Sequence, residues 1–301
     1  MMKLLTLTVF LPSSAACYVT AQDIAFTFDD GPKMDDTVRM SPAERNTALL
    51  THLREAGVKA ALFYKSGNAS DNQLELVRRW GEAGHMIGNH TMTHPYFNSS
   101  KVSVKDLGDQ LLGCDAVIKT MPGYAKLFRF PYLKEGETAE KRDGFRAFMK
   151  LIGYKPGPVS VDASDWYYNE RLYKRLASDP TADIAPYRKA YMDHLYDRAC
   201  YYDALSKTVM GRSVKHVLLM HHSLINALFL GDAIRMFREK GWRVIDAQVA
   251  FQDPVYVMEP NVLPAGESII WELAKEKGVQ GLRYPGEDSQ YEEPILDRLG
   301  L

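Results

Sequence analysis

Seven short apolar runs recur along the chain, with helical periodicity between them, and this alternation constrains the fold more than any other feature. The runs are Ile24–Phe28, Val58–Tyr64, His85–Gly88, Leu127–Phe130, Val159–Val161, Val214–Met220 and Trp242–Ile245. Strands that alternate with helices imply a parallel sheet wound by helices, open or closed into a barrel. Helix punctuation supports the reading. Ser41-Pro42-Ala43-Glu44 supplies an N-cap, a proline at the first position and a capping-box glutamate, and Gly57 is the stop. Further helices are predicted from Asp71, Ser103, Thr138 and Asp232. The stretch from Glu170 to Gly211 is helical in pattern and too long for an ordinary connection, so 167–213 reads as a helical insertion. Beyond Phe251 the pattern weakens into a tail, 251–301, with one further helix expected over Glu267–Lys277.

The polar residues fall in a pattern of their own. Ile24-Ala25-Phe26-Thr27-Phe28 delivers Asp29 and Asp30, and Gly31-Pro32 then breaks the chain. His90 and His94, Arg129, Asp162 and Asp165, and His221 and His222 likewise follow predicted strands. In a parallel sheet, strand ends of one sense share one rim, where α/β folds gather ligands. Two adjacent carboxylates repel, so a buried pair needs a cation or another strong partner. Aspartate with two histidines suits Zn²⁺ or another divalent transition metal and leaves positions open. Such an ion activates water and polarises a carbonyl, a second carboxylate can accept the proton, and a histidine can protonate a leaving amine. These ingredients fit metal-assisted hydrolysis of an acyl bond.

The remaining bounds are broad. An apolar content of 46%, a charged content of 25% and a net charge of −1 are those of a soluble globular chain. That balance gives no footing for nucleic acid or an anionic membrane surface. The first 22 residues read as a secretory signal peptide, with Lys3, the apolar Leu4–Leu11 and a small-residue stretch before the cut. The mature chain, 23–301, is then periplasmic or secreted, with no transmembrane segment. Cys114 and Cys200 admit either a disulfide or two free thiols.

Five ordered motifs carry a family resemblance. Thr27-Phe28-Asp29-Asp30-Gly31-Pro32, His90-Thr91-Met92-Thr93-His94, Arg129-Phe130-Pro131-Tyr132, Asp162-Ala163-Ser164-Asp165-Trp166 and Leu219-Met220-His221 resemble those of the polysaccharide deacetylases of carbohydrate esterase family four, which carry the NodB homology domain. The resemblance covers roughly residues 23–250 and implies a distorted (β/α) barrel of about seven parallel strands. It implies Asp29 as general base, and Asp30, His90 and His94 as ligands of a metal, Zn²⁺ or a similar ion. Arg129 is implied to hold Asp29, and the backbone N–H of Tyr132 to stabilise an oxyanion. His221 is implied as general acid, oriented by Asp165 in preference to Asp162. Trp166 and Leu219 are implied to wall a slot for the acetyl methyl. The implied partner is an acetylated glycan of the N-acetylglucosamine type.

Two departures from the family pattern bear on the site. His222 stands where the family often has an acid, so either imidazole is a candidate to face the site, with Leu219 favouring His221. The insertion also holds eight of the 17 tyrosines between Tyr167 and Tyr202, of which Tyr167 and Tyr168 are the glycan-stacking candidates. Competing readings are an O-acetyl esterase using the same residues and a catalytically silent carbohydrate-binding protein.

Overall fold

The computed structural model describes residues 21–34, 37–285 and 289–301. The expected signal peptide and Cys17 therefore lie almost wholly or wholly outside the described residues. The elements run β1 (Asp23–Asp29), α1 (Pro42–Ala56), β2 (Ala61–Tyr64), α2 (Asp71–Glu82), β3 (Met86–Asn89), α3 (Val104–Ile118), β4 (Tyr124–Phe128), β5 (Lys134–Gly136), α4 (Ala139–Leu151) and β6 (Lys155–Pro156). The second half holds α5 (Asp165–Ser178), α6 (Ala185–Met210), β7 (Lys215–His221), α7 (Leu224–Glu239), β8 (Arg243–Val244), α8 (Ala247–Ala250), β9 (Ala265–Gly266), α9 (Ile269–Glu276) and α10 (Glu293–Leu299).

The main sheet is parallel, in the order β6-β4-β3-β2-β1-β7, with β8 also against β1. Its edges are joined by one piece of chain. Lys155-Pro156 pairs with β4 at one edge, and Val161 bridges to Leu218 of β7 at the other. The sheet is thus curled into the distorted barrel that the alternation and the family resemblance implied. β1 lies one strand in from the β7 edge and also pairs with β8, and its seven residues are all buried because both faces are covered. It lies in parallel register with β7 along its whole length, which sets Asp29 beside His221.

Helix ends follow the local code. Ser41 and Glu44 form a reciprocal capping box at α1, and Gly57 closes it in the left-handed region at φ 67°. Ser103 and Asp106 do the same at the start of α3. A satellite core of Phe97, Phe128, Phe130 and Phe145 packs between α3 and α4. The Phe128–Phe130, Phe128–Phe145 and Phe130–Phe145 ring centroids are 5.0, 5.2 and 5.2 Å apart. Alternate side chains of an extended segment point to opposite sides. With Phe128 and Phe130 locked in this aromatic core, Arg129 is directed into the barrel.

Several expected elements differ. Val159–Val161 forms only an isolated bridge, because the segment leaves β4 to cross to β7. The long helical stretch is two helices separated at Asp179–Ile184, and the first begins at Asp165. α7 begins at Leu224 rather than Asp232, since Leu224–Leu230 is buried on nearly all sides and shows no amphipathic period. Cys114 and Cys200 are both free thiols.

Candidate active site

The strand ends open into a cavity of about 720 Å³. Asp30, which follows β1, meets there with His90 and His94, which both follow β3. The turn after β3 is built by short side chains. Asn89 Oδ1 accepts the Thr91 N–H at 2.9 Å, and Thr91 Oγ1 accepts the His94 N–H at 3.0 Å. Asp30, Thr91 and His94 sit at φ 70°, 70° and 60°, in the region that L-residues rarely adopt. Such backbone persists where surrounding contacts over-determine it, and it concentrates at functional sites.

The three side chains fit a divalent cation. Asp30 Oδ1 lies 3.6 Å from His90 Nε2 and 3.5 Å from His94 Nε2, and the ligand atoms of all three lie within 4.8 Å of one another. Two donors on one tetrahedral zinc stand about 3.4 Å apart. Asp30 Oδ1 is buried and has no hydrogen-bond partner among the described residues, which is costly for a carboxylate unless a cation faces it. His90 Nδ1 is 2.8 Å from the carbonyl oxygen of Arg129. A carbonyl only accepts, so Nδ1 carries the proton and the Nε2 lone pair faces Asp30. Burial pushes His90 down to about 4 and His94 down to about 3, so both imidazoles are neutral donors at pH 7. Burial would raise Asp30, but His90, His94, His221 and Lys33 outweigh it and hold the carboxyl well below its usual range.

Behind this trio, Arg129 Nη1 donates to Asp29 Oδ1 at 2.7 Å and to Thr27 Oγ1 at 2.8 Å. Its Nε donates to the Gly157 carbonyl at 2.8 Å, and its guanidinium lies 3.8 Å from the centre of the Phe63 ring. Phe63 has room because Gly88 and Gly157 flank it, where a Cβ would stand 2.7 and 2.6 Å from the ring. Burial pushes the Asp29 carboxyl up, and Arg129 pulls it back only in part. The arginine therefore does not hold Asp29 below its ordinary range, as an opposite charge alone would. Desolvation outweighs it.

His221 enters the cavity from β7. Its Nδ1 is 2.7 Å from Asp165 Oδ1, and its backbone N–H donates to Asp165 Oδ2 at 2.8 Å. Asn226 Nδ2 adds a third hydrogen bond to Asp165 at 2.7 Å. Burial acts to lower the His221 pKa, but Asp165, with Asp30 and Asp29, pushes it up to about 9. His222 points the other way. Its Nε2 is 3.0 Å from Asn46 Oδ1, which also accepts from Trp80 Nε1 at 2.7 Å, and burial lowers it to about 3. Gly31 is required beside it, since a Cβ there would stand 1.9 Å from the His222 Cβ. The ambiguity between the two imidazoles resolves to His221. Asp162 also borders the cavity but makes no hydrogen bond to His221. Burial and Glu267 push it up to about 7.

Leu219 shares the inward face of β7 with His221, and Trp166 and Tyr132 complete the wall. Tyr132 is 43% exposed, and its ring centroid is 4.4 Å from that of His94. Tyr167 and Tyr168 do not face the cavity. Both are buried, and Tyr168 stacks on His194 at 4.5 Å. The cavity face of α5 is instead Trp166, Asn169, Glu170 and Tyr173, the i, i+3, i+4, i+7 stripe of a helix. That stripe could have been read once Trp166 was placed. Lys33, Lys65 and Glu267 carry no local signal that marks them as cavity residues.

Comparison with known proteins bears on the family and the fold. The polysaccharide deacetylase family model matches residues 18–154. A chitin deacetylase from Colletotrichum lindemuthianum is 30% identical over 221 residues, covering 70% of this chain and 79% of that protein. A peptidoglycan-N-acetylglucosamine deacetylase from Bacillus cereus is 32% identical over 145 residues, covering 48% of this chain and 46% of the relative. The chain thus spans less than half the length of that bacterial relative. Among solved structures, a peptidoglycan N-acetylglucosamine deacetylase shares the fold at a TM-score of 0.51 and 23% identity, over 77% of this chain and 89% of that one. A pseudoenzyme of carbohydrate esterase family 4 from Bacillus anthracis does so at 0.53 and 19%, over 77% and 66%. By sequence, over most of the length of the chitin deacetylase, this chain belongs to the polysaccharide deacetylase family.

Proposed function

We propose that the protein is a metal-dependent hydrolase that removes acetyl groups from an N-acetylated glycan, outside the cytoplasm. The observation that carries this reading is the meeting of three cation donors, a buried carboxylate and an imidazole paired with a second carboxylate in one cavity. Asp30, His90 and His94 would hold a divalent ion, with Zn²⁺ the best match to the donors, and that ion would supply Lewis acidity towards water and an acyl oxygen.

The chain's own groups do the rest. Asp29 takes the proton from the attacking water, and its raised pKa makes it a better base than a free aspartate. Arg129 fixes the orientation of that carboxylate through the 2.7 Å hydrogen bond. His221, in register with Asp29 on the neighbouring strand, holds a proton at neutral pH and delivers it to the departing amine nitrogen. Asp165 fixes the ring so that Nε2 is the donating atom. The Tyr132 N–H is the oxyanion donor, a role supported by its place on the cavity wall beside His94. Trp166 and Leu219 form the acetyl slot, and Tyr173 offers a face to the sugar.

The test is acetate release from acetylated chito-oligosaccharides, peptidoglycan fragments and acetyl-xylan, with and without a chelator. Chelator-sensitive release from the N-acetylated substrates is expected. Release from acetyl-xylan alone would mark an O-acetyl esterase. Binding without any release would mark a silent carbohydrate-binding protein and refute the proposal.

A further inference from the structure

The C-terminal tail, which the motifs leave without a task, reaches the cavity at Glu267 and at Pro285, and the first of these bears on the reaction. There it meets the least relaxed backbone in the site. Tyr132 and Leu133 are consecutive non-glycine residues at φ 56° and 57°. A pair of left-handed residues does not hold itself. The chain continues directly into β5, which pairs antiparallel with β9, Lys134 opposite Gly266 and Gly136 opposite Ala265. The Glu267 N–H donates to the Leu133 carbonyl at 3.0 Å. Gly266 lies so close that a Cβ would stand 2.0 Å from that same carbonyl oxygen, and its φ of 115° disfavours any side chain. Glu267, at φ 85° and 8% exposed, forms a buried ion pair with Lys134. Tyr284, further along the tail, donates to Glu267 Oε1 at 2.7 Å and accepts from Lys134 Nζ at 3.0 Å. Tyr132, Leu133 and Glu267 all border the cavity.

We propose that β9, through Gly266 and Glu267, is a clamp that positions the Tyr132–Leu133 turn, making Glu267 and Lys134 positioning residues of the reaction. The inference rests on the reading of Tyr132 as oxyanion donor. An N–H contributes only if it stands where charge develops, and a misplacement of about 1 Å can cost roughly a hundredfold in rate. The tail is therefore part of the active site, although none of its described residues joins the cation trio.

The decisive variant is Lys134→Met with Glu267→Leu in the full chain. Exchanging a buried ion pair for apolar residues of similar volume leaves stability nearly unchanged, so the melting temperature stays within a few degrees while the clamp is lost. Expected are a 10- to 100-fold fall in kcat, a KM within about threefold, unchanged zinc content, and faster amide exchange in peptides spanning residues 131–136. Wild-type kcat together with wild-type exchange would overturn the proposal. If the double variant does not fold, Gly266→Ala and the milder Tyr284→Phe answer the same question, with the larger loss expected from Gly266→Ala. If the wild-type protein releases no acetate, the functional reading fails. The exchange measurement then decides the clamp alone, with unchanged exchange counting against it.

Discussion

Replacing Asp165 with asparagine removes one charge and leaves the shape of the site almost intact, so it isolates how His221 keeps its proton. In the native site the Asp165 carboxylate accepts from the His221 ring, the His221 backbone N–H and Asn226. Together with the two cavity aspartates it pushes the imidazole up to about 9. Unit charges about 4 Å apart interact by roughly 4 kcal/mol in a partly buried setting, or some 2–3 pKa units at 1.36 kcal/mol each. Without that charge, burial dominates and His221 returns to about 6.5 or below. The sign follows from the direction of the shift. A raised pKa keeps the proposed acid, His221, loaded until pH passes about 9, and the variant loses its proton above about 6.5. The loaded fraction at pH 8 falls from about nine-tenths to about 3%, a loss of roughly 30-fold, whereas at pH 6 the two proteins differ by less than twofold. A cation on Asp30 lowers both pKa values, so the separation of the alkaline limbs is the measured quantity. The assay is kcat/KM for acetate release across pH 5.5 to 9.5. A pH-independent loss would make Asp165 a structural support and refute the reasoning.

Three further outcomes follow from the same geometry. Zinc at a hundred times its Kd should stabilise the protein by about 2.7 kcal/mol, or roughly 5–10 °C at 2–4 °C per kcal/mol. A thermal melt with chelator should reverse that shift, and His90→Ala should abolish both the shift and the bound metal. Arg129→Met strands Asp29 without its partner. A stability loss of about 3–5 kcal/mol by urea unfolding is expected, with at least a hundredfold loss of kcat. Tyr173→Ala removes a cavity-facing ring but touches none of the reacting groups. KM should rise several-fold with kcat nearly unchanged, and a large fall in kcat would exclude a binding role.

Much of this was legible in the sequence, for physical reasons that differ by element. β1 could be read because it is buried on both faces, which forces an unbroken apolar run, and because the turn that follows needs Gly31. The capping boxes at Ser41 and Ser103 could be read because a helix start satisfies its own N–H groups locally. The rim of the cavity could be inferred because parallel strands point their ends the same way. The cavity face of α5 was legible only through Trp166, from which Tyr173 follows at i+7, whereas Tyr167 and Tyr168 are buried and Tyr168 stacks on His194 of α6. The start of α7 was hidden because a helix buried on nearly every side shows no stripe. The two-residue β9 has no periodicity at all. Glu267 gains its place from the pairing of β9 with β5 and from its ion pair with Lys134, some 133 residues earlier in the chain.

The seam at residues 155–161 ties two things that need not have been linked. The segment that spans the gap between the sheet edges also presents the Gly157 carbonyl to Arg129, and Thr27, which shares that arginine, reaches to Leu218, 191 residues downstream. The network around Arg129 is therefore complete only when β7 lies on the first strand of the chain. Pairings so distant in sequence carry a large loop-closure cost. On the roles proposed above, the cation trio draws on the ends of β1 and β3 alone, whereas the acid sits on β7 and the base leans on it through Thr27.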